Sequence, residues 1–321
     1  MKAAIRVKYG PPGEVISIKE IDKPTPKDDE VLVKVNACSA NRTDYHVITG
    51  KPFYMRFFTG LFKPRLTVTG SDFAGQVEAT GAAVTSFKPG DKVMGFGGAL
   101  CIGSHTEYIT FSESKGIVPM PGNLTYEQAA ACLEGTYYSA AGINHLNPTA
   151  GQKALVYGAT GAIGLADVQF LKYYGLYVTA VCGGEHIELV KSLGADKVID
   201  YQTQDFTKDD ELYDYVFDAV DKTGFLKCRH LLKKNGIYTS SGGFEYLLWN
   251  LITKITGGKK VLFIVPKDIK GNLGFIKKLV EEGKFRPVTD RTYPFEKIAE
   301  AFTYVGTHQK IGNVIIKMDG L

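Results

Sequence analysis

The run Gly158-Ala159-Thr160-Gly161-Ala162-Ile163-Gly164 follows the apolar stretch Ala154-Leu155-Val156-Tyr157 and leads into a helical pattern over 162–174. Glycines in such a place permit a tight strand-to-helix turn and let the backbone approach a pyrophosphate held at the positive helix N-terminus. A lone glycine triplet is also compatible with a turn that merely needs small residues. The preceding strand, the following helix and a second strand about 20 residues on supply the context that makes it a dinucleotide cradle. That second strand, 176–182, ends in Cys182-Gly183-Gly184, with Glu185 and His186 opening the next helix. NAD sites usually place an acid at this tip to grip the ribose 2′-hydroxyl. None stands here, so a 2′-phosphate has room beside His186 and Lys191 and NADPH is the expected cofactor; Glu185 argues against it if its side chain turns back. Ser241-Gly242-Gly243 closes a later strand and is expected to face the nicotinamide side, an ordinary strand-to-loop turn being the plainer reading.

These residues need elements to position them. The chain has 321 residues, 44% hydrophobic and 22% charged, enough apolar material for two cores and too much for a disordered chain. A net charge of +4 without a clustered basic tract makes nucleic acid a poor partner. Five cysteines, at 38, 101, 132, 182 and 228, form no C-x-x-C pair, which indicates neither a disulfide framework nor a zinc lobe and suits a reducing cytosol. The first residues carry charges where a signal peptide would be apolar, and the greasy stretch 244–255 is too short to span a bilayer, so a soluble cytoplasmic protein is expected.

The first 120 residues read as short strands broken by Gly and Pro, at 2–9, 15–20, 30–37, 70–79 and 91–96, which points to a β-barrel or open sandwich. From Thr125 the pattern changes. A helix over 126–145 precedes strands at 154–157, 176–182, 197–200, 213–219 and 236–240, alternating with helices at 162–174, 185–193 and 223–233. Such alternation implies βαβ units and a parallel sheet. The segments 275–282, 295–307 and 314–318 read as helices and a closing strand that returns to the first domain. The expected division is 1–122 with 266–321, and 123–265.

Five landmarks stand in order along the chain: Asn41-Arg42-Thr43-Asp44, Gly70-Ser71-Asp72-Phe73-Ala74-Gly75, Phe87-Lys88-Pro89-Gly90-Asp91-Lys92-Val93, the glycine loop, and Leu193-Gly194-Ala195-Asp196-Lys197-Val198-Ile199-Asp200-Tyr201. In these the chain resembles the medium-chain dehydrogenase/reductase superfamily, and within it the zinc-independent quinone oxidoreductase, zeta-crystallin-like branch. The resemblance covers essentially the whole chain. It implies an α/β fold: a Rossmann doubly wound parallel sheet plus a GroES-like β-barrel catalytic domain completed by the C-terminal segment. It also implies a homodimer paired through Rossmann-sheet edges, to which the apolar stretch 244–255 could add.

The zinc alcohol dehydrogenases of this superfamily bind catalytic metal through Cys, His and Cys. Here Asn41 stands at the first ligand position, Ser71 at the histidine, Asp72 beside it, and Glu134 near the third. An amide, a hydroxyl and carboxylates make a poor zinc site, and no metal is expected. Without a Lewis acid, reduction of a quinone or an α,β-unsaturated carbonyl is the natural chemistry, because such an acceptor already has an electrophilic carbon for hydride. The resemblance makes Asn41 the candidate donor to the acceptor's oxygen, with capping of the following turn as the alternative. Thr43 and His46 resemble the hydroxyl and histidine that carry a proton to solvent, and a histidine titrating near neutrality suits that role; a surface ring packed on Tyr45 is the other reading. Glu134 is a catalytic candidate, and Tyr137 and Tyr138, which follow Glu134-Gly135, are candidates for a cleft lining, although tyrosines on an Ala-rich helix commonly pack.

Further cofactor contacts implied by the resemblance are Tyr201 and the loop Ala219-Val220-Asp221, where relatives often have Gly in place of Asp221. The stretch 49–63 is strongly aromatic and either covers an apolar substrate or packs under the barrel. Two rival functions remain: an NAD(P)-dependent alcohol dehydrogenase or carbonyl reductase, and a non-catalytic NADPH-binding protein. A short-chain dehydrogenase is disfavoured, because the only Tyr-x-x-x-Lys, Tyr293–Lys297, contains Pro294.

Overall fold

The computed structural model describes residues 1–98, 100–243 and 245–318. The chain divides into two compact units, one of residues 1–137 with 268–321, the other Tyr138–Lys267.

The first unit is built on the strand Glu30–Ala40, whose Val31, Val33 and Val35 are buried. Three other strands hydrogen-bond to it, all antiparallel: Asp72–Thr80, Tyr108–Ser112 and Asn313–Lys317. Register shifts between Leu32 and Val33 and between Val35 and Ala37 bend it enough to serve all three. The expected closing strand does return, with Ile316 opposite Cys38, and Thr289–Pro294 lies parallel on its far side. Lys92–Phe96 and Ile117–Pro119 extend the sheet beyond Asp72–Thr80. Phe73, Phe111, Phe295, Phe302, Ile48 and Val305 fill the core.

In the second unit six strands run parallel. Their sheet order is Lys197–Asp200, Tyr177–Cys182, Lys153–Tyr157, Tyr213–Asp218, Leu232–Ser240, Lys260–Val261. Counting from the first strand of the unit, that is the 3-2-1-4-5-6 order of dinucleotide-binding sheets, with the direction of winding reversing between Lys153–Tyr157 and Tyr213–Asp218.

Several boundaries differ from the sequence reading. The helix expected over 126–145 is two, Tyr126–Ala130 and Glu134–Leu146. A capping box of Thr125 and Gln128 starts the first, and the buried Ala131, Cys132 and Leu133 separate it from the second. Pro12 opens a helical turn, Pro12–Val15, so the strand expected over 15–20 starts only at Ser17. The helix expected over 223–233 shrinks to Phe225–Cys228 and a 3₁₀ turn, because Leu232 already pairs with Tyr213 in the sheet. Of the apolar stretch 244–255, Phe244 lies outside the described residues; the remainder forms the helix Glu245–Thr256.

Candidate functional site

In the second unit the glycine loop leaves Lys153–Tyr157 at the reversal point. Gly158 takes φ +78°, and a Cβ there would lie 2.5 Å from Val220 Cγ1. Gly161 N-caps the helix Ala162–Tyr173, and no side chain caps it. A Cβ on Gly164 would run into the Gly158 carbonyl, so only glycine lets helix and strand pack this closely. The first N–H groups of the helix, those of Ala162, Ile163 and Gly164, have no intrahelical acceptor by helix geometry, and among the described residues no side chain caps them. Ala159 is fully buried and its N–H is spent on Val181, while Thr160 lies partly open beside it. An uncapped 12-residue helix behind a glycine turn fits a dinucleotide pyrophosphate.

The next loops gather at the same strand ends. Asp218 accepts from the backbone N–H of Val220, Lys222 and Thr223 and from the Tyr238 hydroxyl, which fixes the loop carrying Val220. Ser241 donates its N–H to the Asp218 carbonyl, and Asp221, at φ +54°, brings its carboxylate up against the point where a Gly242 Cβ would stand. Tyr201 donates its N–H to the Cys182 carbonyl and leaves its ring exposed.

At the tip of Tyr177–Cys182 the premise of the NADPH expectation needs correction. Glu185 does turn back: its carboxylate lies 2.9 Å from where a Gly183 Cβ would stand. Asp200, at the end of the neighbouring strand, sits 2.7 Å from the corresponding point of Gly184. The Cys182 thiol is pushed up to about 11 by burial and then by these two carboxylates. The expected cations are engaged, His186 with Glu185 at 3.4 Å and Lys191 with Glu188 at 3.2 Å. The turn-back follows from the 3₁₀ turn Gly184–His186, which folds Glu185 over the glycines.

In the first unit a buried polar cluster surrounds Asn41. Its Oδ1 accepts from the Asp44 N–H at 2.7 Å, capping the helix Arg42–Thr49. Its amide Nδ2 has two hydrogens and four acceptors in range: Asp44 Oδ2 and Ser71 Oγ at 3.0 Å, Ser39 Oγ at 3.1 Å, Asp72 Oδ2 at 3.5 Å. Asp72 also accepts from the Ser39 N–H and hydroxyl. His105 donates Nε2–H to the Ser39 carbonyl and takes the Thr69 hydroxyl on Nδ1, so its ring is neutral, held down at about 4 by burial. Burial, and then the charge of Glu134, pushes the Asp44 carboxyl up to about 7. Asp72 is raised too, mainly by burial.

Thr43, half-buried, donates its hydroxyl to Glu134 Oε1 at 2.5 Å. Burial raises the Glu134 carboxyl, while that hydrogen bond, Lys310 and Arg42 pull it down. Lys310 in turn is lowered to about 8, chiefly by burial. His46 is half-buried, edge-on to Tyr45, and its Nδ1 has no hydrogen-bond partner among the described residues. Its pKa is lowered, first by burial and then by Arg42, so titration near neutrality, as the sequence reading expected, is corrected downward. Tyr138 belongs to the second unit and is half-buried.

A family model for the alcohol dehydrogenase GroES-like domain matches residues 27–122, and one for zinc-binding dehydrogenases matches 193–316. A chloroplast envelope quinone oxidoreductase homolog of Arabidopsis thaliana is 32% identical over 331 residues, covering 96% of each chain. The NADPH-dependent alkenal/one oxidoreductase of the same plant is 31% identical, covering 98% of this chain and 79% of its own. The quinone oxidoreductase of Coxiella burnetii superimposes with a TM-score of 0.87 at 25% identity, covering 99% of both chains. The chain belongs to the quinone oxidoreductase branch of the medium-chain dehydrogenase/reductase superfamily. It is an oxidoreductase with a nicotinamide cofactor and a small-molecule substrate.

As a quinone oxidoreductase relative it departs from its zinc-binding kin in donor chemistry. Where zinc would need lone pairs, the Asn41 amide presents N–H groups to carboxylate and hydroxyl oxygens, so hydrogen bonds do there what a cation would do. Among the described residues no cluster of three His, Cys, Asp or Glu could hold a metal. The residues do not fit zinc. Sequence reasoning missed Ser39, His105 and Lys310 around this cluster and Asp218 in the second unit. Only Asp218 had a local signal, an acid closing a buried strand.

Proposed function

We propose that this enzyme passes hydride from a nicotinamide cofactor to a quinone or an α,β-unsaturated carbonyl without a metal. The observation that carries this reading is the Asn41 amide at the centre of the polar cluster, saturating the carboxylates that would otherwise invite a cation. The bound nicotinamide would supply hydride from its carbon 4. Gly158, Gly161 and Gly164 with the helix end behind them would hold its pyrophosphate, with Val220, Ser241 and Gly242 toward the ring. Asn41 is a positioning residue, its hydrogens being spent inside the unit. When Glu134 holds a proton, which its burial favours, the bond to Thr43 reverses: Glu134 donates to Thr43 Oγ1, and the Thr43 hydroxyl is free to give its own proton to the reduced acceptor and take the Glu134 proton in its place. Neutral His46, with its unpartnered Nδ1, is a way for that proton to be replenished.

For the adenosine end the reading becomes NADH over NADPH, since a 2′-phosphate would meet Glu185 and Asp200. The NADPH of the alkenal/one relative belongs to that protein. A homodimer is supported by the exposed Leu247, Leu248, Leu251 and Ile255 of the helix Glu245–Thr256 and by the edge strand Lys260–Val261. Five buried, free cysteines suit a reducing compartment such as the cytoplasm.

An assay of NADH and NADPH against quinones, alkenals and alcohols, with and without a chelator, tests the reading. Turnover of quinones or alkenals, unchanged by chelation, is expected. Activity confined to alcohols and lost on chelation would overturn it.

A further inference from the structure

We propose that residues 51–66 form a docking surface for an anionic lipid bilayer. Phe53, Phe57, Leu61, Phe62 and Leu66 all point their side chains into solvent, Phe62 to 90% of its area. The sequence reading left two roles open for this aromatic stretch, covering a substrate or packing under the barrel; these five side chains do not pack beneath it. Nor is the segment loosely held. The Tyr9 hydroxyl meets Thr59 Oγ1 at 2.8 Å and the Gly60 carbonyl at 2.6 Å, and the Arg56 guanidinium lies over the Tyr9 ring while donating to the Gly50 carbonyl. Its base is anchored and its apolar side chains are turned outward.

Charge selects the occupant. From residue 45 to residue 71 there is no Asp or Glu, while Lys51, Arg56, Lys63 and Arg65 contribute four cations. Lys51, Lys63 and Arg65 are exposed, and no ion pair among the described residues uses them. Aromatic and aliphatic tips flanked by unpaired cations match the boundary between lipid headgroups and acyl chains, where rings sink in and cations meet phosphates. A second copy fits worse, because a two-fold contact would set these three cations against their own counterparts. The helix Met55–Thr59 has five residues, and among the described residues no helix is long and apolar enough to cross a membrane, so the contact is peripheral. The inference does not depend on which acceptor the enzyme reduces.

The test is co-sedimentation of the full chain with phosphatidylcholine vesicles, with and without phosphatidylserine. Binding to the phosphatidylserine vesicles is expected, weaker at high salt and on the neutral vesicles. Lys63→Glu with Arg65→Glu should reduce it by about tenfold or more, and Phe57→Glu with Phe62→Glu should abolish it, both variants keeping the parent's Tm and light-scattering mass. Failure of the wild-type chain to sediment, or undiminished binding by the variants, overturns the proposal. So does a fall in mass caused by the phenylalanine pair, which would assign the surface to a second copy.

Discussion

The two units hold their polar groups in opposite ways. Around Asn41 nearly every donor has an acceptor within the same unit, and burial pushes Asp44 and Asp72 toward their neutral forms. At the strand ends of the second unit the helix behind Gly161 is uncapped, Glu185 is exposed, and glycines keep side chains away from the backbone. Satisfied polar groups specify structure, whereas uncommitted ones are available to a ligand. The family position of a residue does not distinguish these cases; its hydrogen-bond partners do.

The sharpest way to break this contrast is Asn41→Ala. It removes a helix cap worth about 1 kcal/mol and strands buried acceptors at about 1–3 kcal/mol. Urea unfolding should show a loss of about 2–4 kcal/mol, with cofactor affinity unchanged. A stable Asn41→Ala enzyme with depressed kcat would instead return Asn41 to the role of oxyanion donor. In the second unit, Gly158→Val should act on the ligand. A branched side chain at positive φ against Val220 costs about 1–3 kcal/mol, read by fluorescence titration as weaker cofactor binding. Glu185→Arg replaces a carboxylate by a cation at the strand tip. The NADPH-to-NADH preference should rise roughly tenfold, about 1.4 kcal/mol; an unchanged ratio would show that the tip does not choose the cofactor.

The smallest effect is the pH dependence of stability. Asp44 is raised to about 7, so its contribution is fully present below its ordinary value near 3.8 and is lost as pH rises through 7. His105, lowered to about 4, works the other way, but only below its ordinary 6.5. Lys310, lowered to about 8, begins to matter only near that pH. Between about pH 6.5 and 8 calorimetry should therefore show Tm falling by about 2–4 °C. Asp44→Asn should remove part of the slope, the rest coming from Asp72 and Glu134, both raised by burial, and from Asp167 in the second unit, raised to about 7 by burial.

Much of this was legible in the sequence where the signal is local. The glycine loop needs only a strand before it and a helix after it, and both are there. The alternation of strand and helix past residue 150 carries the parallel sheet, and Asn41 before a helix already reads as a cap. Legibility failed where a side chain's direction depends on a turn, as at Glu185, whose 3₁₀ geometry no residue type announces. It failed again where partners are remote: Thr43 meets Glu134, 91 positions away, and Lys310 acts on that same carboxyl from the far end of the chain. Burial, and hence the neutral His105 and the raised Asp44, is a property of the assembled unit.

The strand Asn313–Lys317 completes the sheet that Glu30–Ala40 begins. On the ribosome, then, the first 137 residues emerge with the Ala37–Ala40 end of their central strand bare on one side, and they wait for residue 317. The second unit lies between, with all six of its strands drawn from residues 153–261, and can finish folding during that interval. A half-made sheet with an open edge is prone to pair with the wrong strand. This order of synthesis makes the nascent first unit a client for chaperones, and it makes any truncation near the C-terminus a lesion in that unit's core.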